Sequence, residues 1–530
     1  MTYTLRRCLE RRLHEAEGLR GQFMGAILRA IIALRPKSAP VLFLMIAAGC
    51  VNTDPRRDYE RARALISERV GASGVYHPGD PEKIEQRVVE LLADGLSVTE
   101  ALQIALLNNP EFQSLMSEIG ASRADLAQSA LLTNPTVSLG LQFPEAGGLS
   151  DITVGFAQQL ADLWQIPIRK KIAAHQLERT ILTAGQRAVE LAAEVRTRCY
   201  RVMALDQAVA FATENLELVQ RSVALSEAQS KAGEVSEFDV ELARSSVLDV
   251  REELILTRGA REAARSDLAQ ILGLSTRVDD IRLNESLPAT ATPLASAPEL
   301  LNGALEHRFD VRIAFFDVAR SEAALRLEYR RFLPDVQLGV AFERGEQRPL
   351  PERKILADTA RASIAAGTLT APSIQSRGER AIDKAQIIDY KLGPTLALSL
   401  PIFDQNQAQI AKARIRVLQA RQAYAARVDA VAAEIQRATA AARAAAEMLQ
   451  FQQSEGLPQG REIVAMAEQR YRAGEASLLA LIEAQDALLK RRRAYVNSLR
   501  DFSVALAQLE SALGGRMEPT TAATTGNGAP

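Results

Sequence analysis

Four short segments of this chain alternate apolar and polar side chains with a period of two. In the first, Val137, Leu139, Leu141 and Phe143 share one face, and Ser138, Gly140 and Gln142 share the other. In the second, Ile152, Val154 and Phe156 alternate with Thr153, Gly155 and Ala157. In the third, Val336, Leu338, Val340 and Phe342 alternate with Gln337, Gly339 and Ala341. In the fourth, Leu396, Leu398 and Leu400 alternate with Thr395, Ala397 and Ser399. Each predicted strand is roughly eight to ten residues, close to the 9–11 that a tilted strand needs to span a bilayer. An apolar face opposite a small or polar one is expected for lipid outside and water inside. A half-buried soluble sheet shows the same alternation. Four strands alone cannot close a barrel with a channel, so the membrane reading requires several chains to share one barrel.

Between the strands the pattern turns helical. The segments near 160–232 and 404–473 predict long helices, each roughly 100 Å at 1.5 Å per residue. Pro167 lies near the start of the first. Pro458, between Gly456 and Gly460, predicts a kink or interruption in the second. Shorter helices are expected near 97–132, 237–272, 297–332 and 477–513. The first two, placed end to end, match one long helix, as do the last two, which suits a cylinder wall of uniform length. Alanine is dense in these segments, as in Ala440–Ala446, and small side chains let helices approach closely. The fold class is therefore mainly α with a small β contribution.

The order helix, strand, strand, long helix, helix occurs twice. Asn134-Pro135-Thr136-Val137 answers Leu333-Pro334-Asp335-Val336 at an offset of 199. Ala232-Gly233-Glu234 answers Ala473-Gly474-Glu475 at an offset of 241, and Gly273 answers Gly514. The chain reads as a tandem duplication, with a first repeat at 96–290 and a second at 291–514. About 42 extra residues lie in the second copy, near 344–390, where topology predicts an extracellular loop. The segment 515–530 is rich in Thr, Ala and Gly and is expected to be a disordered tail.

The first 49 residues read as an address. Arg29, Arg35 and Lys37 precede the apolar run Ala39–Ile46, then Ala47-Ala48-Gly49 and Cys50. This resembles a bacterial lipoprotein signal, in which the cysteine is acylated and becomes the new N-terminus. Ala47 departs from the leucine usual there, and Met1 and Met24 are alternative starts. Segment 50–95 would then be a lipid-anchored N-terminal region carrying an acyl chain such as palmitate. Val51, not Asp, follows the cysteine, and that resemblance points to the outer membrane. Only Cys199 remains free in the mature body, so no intramolecular disulfide is expected. Removing residues 1–49 takes away eight basic and three acidic side chains and moves the net charge from −1 to −6. Nothing in that balance calls for nucleic acid. No run of 18 or more apolar residues follows Cys50. A crossing of the membrane must then be made by strands of a closed barrel.

Catalytic chemistry is not expected. His14, His77, His175 and His307 do not cluster, and no Cys or His spacing fits a metal site. There is no glycine-rich phosphate loop and no isolated acid pair. No cofactor is expected beyond the lipid on Cys50.

Several stretches together resemble the outer membrane efflux protein family, the TolC-like channel-tunnels. They are Leu96-Ser97-Val98-Thr99-Glu100-Ala101 leading to Asn108-Asn109-Pro110-Glu111, then Asn134-Pro135. Gly393-Pro394-Thr395-Leu396 to Pro401-Ile402-Phe403-Asp404 and the two Ala-Gly-Glu turns complete the set. The resemblance covers about residues 90–514 and implies a homotrimer. Three chains of four strands would form one 12-stranded outer-membrane barrel, continuous with a helical tunnel in the periplasm. A periplasmic adaptor and an inner-membrane pump would hand it small molecules or metal ions. Lipidation at Cys50 resembles the anchored branch of the family. A type I protein-secretion channel shares the fold, and a soluble periplasmic coiled-coil scaffold is the reading from another class.

The resemblance also assigns residues. The turns at Gly233 and Gly474, with Ser236 and Ser477, would form the periplasmic tips that meet the adaptor. The family's gate acids and tyrosine match Asp239, Tyr471 and Glu483, the last forming a ring of three carboxylates in a trimer. Ala476 and Ala480 stand where the family carries an arginine and a further acid.

Overall fold

The computed structural model describes residues 52–79, 81–143, 150–233, 235–288, 296–346, 364–367, 388–473 and 475–516. The described residues from Asp54 onward form one unit. Its elements begin with α1 (Arg56–Val70), α2 (Pro81–Leu92), α3 (Val98–Asn108), α4 (Pro110–Ser129), β1 (Thr136–Gln142) and β2 (Asp151–Gln159). The first repeat ends with α5 (Asp162–Lys231) and α6 (Glu237–Ile271). Then follow α7 (Ala297–His307), α8 (Phe309–Arg331), β3 (Asp335–Glu346) and β4 (Ile388–Ser399). The chain continues through α9 (Gln407–Phe451), a π-helical turn (Gln452–Gly456), α10 (Leu457–Arg472) and α11 (Leu478–Ala512).

The first repeat opens on a capping box. Ser97 Oγ accepts the Glu100 N–H at 3.1 Å, and Glu100 Oε2 accepts the Ser97 N–H at 2.8 Å. The expected single helix over 97–132 is in fact two. Asn109 is extended, with φ −66° and ψ 119°, because the ring of Pro110 excludes the helical conformation before it. The Asn109 side chain then caps α4 by accepting the Phe112 N–H at 2.9 Å. The helix expected over 297–332 is likewise broken, at Arg308 (φ −66°, ψ 128°), here without a proline. There the Arg308 side chain reaches the end of α11, where Nη1 donates to the Ala512 carbonyl at 2.5 Å.

Helix α5 runs 70 residues without interruption, about 105 Å at the ideal rise. Its counterpart is interrupted where Pro458 and its flanking glycines stand. The π-helical turn lies just before Pro458. Gly456 has no Cβ, and one placed there would meet Gln452 Oε1 at 2.4 Å, so the buried Gln452 side chain occupies that space.

The helices pack in two tiers. Near the sheet, the neighbours are α4–α5–α8–α9 in that order; toward the far ends they are α6–α5–α11 with α9 and α10. The largest apolar core joins α1, α3, α4, α5 and α6 through Ile66, Ile104, Phe112, Met116, Leu182 and Leu268. Helix α1 lies on α4 and α5, where Arg61 pairs with Glu178 and Tyr59 fits over Gly120.

The four strands form one antiparallel sheet in the order β1-β2-β3-β4. The register places Leu139 opposite Val154, Val154 opposite Phe342 and Leu338 opposite Leu396, so the apolar positions share one face. That face is bare: Leu139 is 68% exposed and Leu392 74%. Ser138, Gly155, Ala341 and Gly393 line up on the other.

Two boundaries differ from expectation. The pairing of β3 with β4 runs on through Arg344↔Tyr390, Gly345↔Asp389 and Glu346↔Ile388, so both ends of the 344–390 segment are strand. Backbone hydrogen bonds extend the ladder beyond the apolar band, since side-chain polarity does not set its length. Between them Ile364–Gly367 form a helical turn, and the rest of this segment lies outside the described residues. The segment 515–530 starts inside the fold: the Gly515 N–H donates to Glu510 O at 3.0 Å and the Arg516 N–H to Arg69 O at 2.7 Å. Residues 517–530, the signal segment 1–49 and Cys50 lie outside the described residues.

Candidate functional site

The two helical hairpins α5–α6 and α10–α11 end in similar turns. At the first, α5 runs to Lys231 and Gly233 takes a left-handed φ of +78°, a conformation that costs a side chain energy and glycine little. Ser236 then caps α6: its Oγ accepts the Asp239 N–H at 3.2 Å and donates to Asp239 Oδ2 at 2.6 Å. At the second, Ser477 Oγ accepts the Ala480 N–H at 3.3 Å, and Glu475 N–H donates to Arg470 O at 2.9 Å. With alanine at 480 the second cap lacks the carboxylate that the first one holds. Gly474 lies outside the described residues.

Tyr471 joins the two hairpins. Its ring is 7% exposed and packs with Val223, Ala243, Leu478, Leu481 and Ile482, residues from both. Its hydroxyl donates to Gln229 Oε1 on α5, and burial pushes its pKa up. Within the chain Tyr471 does not meet Asp239, which is exposed and bonded to Ser236. Glu483 is exposed on α11 and has no hydrogen bond or ion pair among the described residues. One chain therefore brings Tyr471 and Gln229 together and leaves both acids exposed.

Sequence reasoning missed three tip residues. Gln229 is the partner of Tyr471. Phe238, 75% exposed, and Leu479, 44% exposed, present apolar side chains two residues after each capping serine. The 241-residue offset relates these last two, which was a signal available in the sequence.

Other chemistry is sparse. Among the described residues no cluster of His, Cys, Asp and Glu is arranged to hold a metal. None of the described helices is long and apolar enough to cross a membrane. Cys199 is buried, and burial pushes its thiol up to about 12, which leaves it unreactive.

Comparison with known proteins agrees with this arrangement. The model of the outer membrane efflux protein family matches residues 101–274 and 300–515. The chain is 24% identical over 324 residues to the pyoverdine export outer membrane protein OpmQ of Pseudomonas putida, covering 59% of each. It is 21% identical over 441 residues to the cobalt-zinc-cadmium resistance protein CzcC of Cupriavidus metallidurans, covering 80% of this chain and 91% of that protein. Among solved structures, CusC superposes with a TM-score of 0.61 at 18% identity, over 79% of this chain and 92% of that one.

Proposed function

We propose that this chain, which belongs to the outer membrane efflux protein family, is the outer-membrane exit duct of a tripartite export system. It is a transport channel and not an enzyme. The observation that carries this reading is the four-stranded sheet with a bare apolar face and two free edges, joined to long helices. An open sheet of this kind leaves unpaired backbone groups on β1 and β4 that only closure with other copies satisfies inside a membrane. The helical wall has free flanks too: Ile255 and Leu256 on α6, and Ile415 and Leu418 on α9, are exposed apolar side chains. A homotrimer covers both sets at once, giving a barrel in the outer membrane and a tunnel below it.

The cargo class is small molecules or metal ions. Support comes from the relatives, one named for pyoverdine export and one for cobalt-zinc-cadmium resistance. The hairpin turns at Gly233 and Gly474 meet a periplasmic adaptor, which couples the duct to an inner-membrane pump. Asp239, Tyr471 and Glu483 line or brace the constriction there. The exposed Phe238 and Leu479 support a docking role for these tips. Cys50 carries the lipid anchor, and the exported solute passes without entering the lipid.

Liposomes reconstituted with the purified protein test the reading. Release of an entrapped small sugar, from material that migrates as a trimer, is expected. Retention of the sugar by liposomes holding a folded trimer would refute an open duct, and a persistently soluble monomer would favour a scaffold.

A further inference from the structure

A cleft of about 290 Å³ opens between α5, α8 and α9. It is lined by Arg320, Ser321 and Glu328 of α8 and by Gln409, Lys412 and Arg416 of α9. These residues lie within three turns of the points where α8 leads into β3 and α9 follows β4. The cleft therefore sits at the membrane-proximal end of the helical wall.

Its charge is one-sided. Glu328 is already engaged, accepting from Asn406 Nδ2 at 2.8 Å and pairing with Arg331 at 2.9 Å. Arg320 is held through both terminal nitrogens, Nη1 by Gln176 Oε1 at 3.0 Å and Nη2 by Asp317 at 3.3 Å. Lys412 and Arg416 have no ion pair or hydrogen bond among the described residues, though they stand one turn apart with like charges. Like charges at that spacing repel unless something neutralises them. The start of α9 adds to the field. Gln409 is its third residue, its N–H belongs to the first turn that has no intrahelical acceptor, and Asn406 supplies no side-chain cap.

We propose that this cleft binds an oxyanion group, a phosphate or carboxylate, held between Lys412 and Arg416 with Arg320 behind. Two sources carry that chemistry at this level of the molecule: the headgroup of an anionic phospholipid in the adjoining leaflet, and an anionic solute in transit. A guanidinium and an ammonium one turn apart on one helix, with Gln409 beside them, suit recognition of an oxyanion. The cleft lies within a single chain, so the duct reading stands whatever its occupant.

The test is isothermal titration of the detergent-solubilised protein with inorganic phosphate at constant ionic strength. Saturable binding by the wild type is expected, weakened at least tenfold in Lys412→Gln/Arg416→Gln and unchanged in Arg251→Gln/Arg258→Gln, which alters exposed bases on α6, away from the cleft. All three proteins are compared at matched unfolding midpoints. No saturable binding, or binding equal in the double variant, would overturn the site. Native mass spectrometry from phosphatidylglycerol nanodiscs separates the sources. Retained lipid that is lost in the double variant assigns the headgroup; phosphate binding lost with lipid retention unchanged assigns a solute.

Discussion

Arg308 donates to the carbonyl of Ala512 as Asn109 donates to that of Ile271, at 2.5 and 2.9 Å. The pairs are related by the same offsets, 199 and 241, that relate the two repeats in sequence. Each side chain sits at a break between two helices and seals the end of a third. The second copy does so with a charge, and the 3% exposed Arg308 also meets Asp310 at 2.5 Å and Glu434 at 2.7 Å. Replacing it with alanine leaves two partly buried carboxylates without it, although Arg427 still reaches both. Arg308→Ala is expected to lose about 3 kcal/mol of stability. Denaturant unfolding checks this, and a loss below about 1 kcal/mol would show that Arg427 compensates.

Asp310 adds a pH dependence. Burial raises its pKa, but hydrogen bonds and charge from Arg308 and Arg427 outweigh burial and hold it below the ordinary 3.8. A carboxylate with a depressed folded pKa stabilises fully above its unfolded value and loses that contribution as pH falls through the folded value. Thermal midpoints measured from pH 6 down to about pH 3 should show wild type losing its lead over Asp310→Asn at the acid end. A constant lead would contradict the assignment.

Tyr471 makes the tip a joint between hairpins. Tyr471→Phe removes only the bond to Gln229 and should cost about 1 kcal/mol. Tyr471→Ala empties a packed site and should cost about 3 kcal/mol or more. Channel recordings should show longer open times in the alanine variant than in the phenylalanine one; equal behaviour would separate packing at Tyr471 from gating.

The two faces of the sheet should respond differently to charge. Leu139→Arg places a cation on the apolar face and should cost about 2–4 kcal/mol near the middle of a bilayer. Ser138→Arg, one residue away, points to the opposite face and should leave trimer assembly intact. Heat-modifiable migration on gels reads the outcome, and equal assembly of both variants would argue against lipid on the Leu139 side.

Much of this architecture was legible because the solvent on each side of a strand sets its alternation. Val137 to Leu141 and Val336 to Phe342 follow that rule, and the structure pairs them across one sheet. The break at Asn109 had a local signal in Pro110, whereas the break at Arg308 comes with a contact 204 residues away and shows only through the repeat. The ends of β3 and β4 were missed because ladders are made by backbone, not by side-chain type. At the tips, Gly233 and Ser236 announce a turn and a cap by their own chemistry. The bond from Tyr471 to Gln229 spans 242 residues and has no local trace. The gate roles proposed for Asp239 and Glu483 would need neighbouring copies, which local spacing does not encode.

Single-channel recording of the purified protein in a planar bilayer, comparing wild type with Glu483→Ala, tests the duct most directly. Discrete conductance steps are expected, with weaker cation preference once the three carboxylates at 483 are gone. Steps indifferent to the substitution would move the constriction away from Glu483. No steps at all, from protein shown to be folded and trimeric, would contradict an outer-membrane channel.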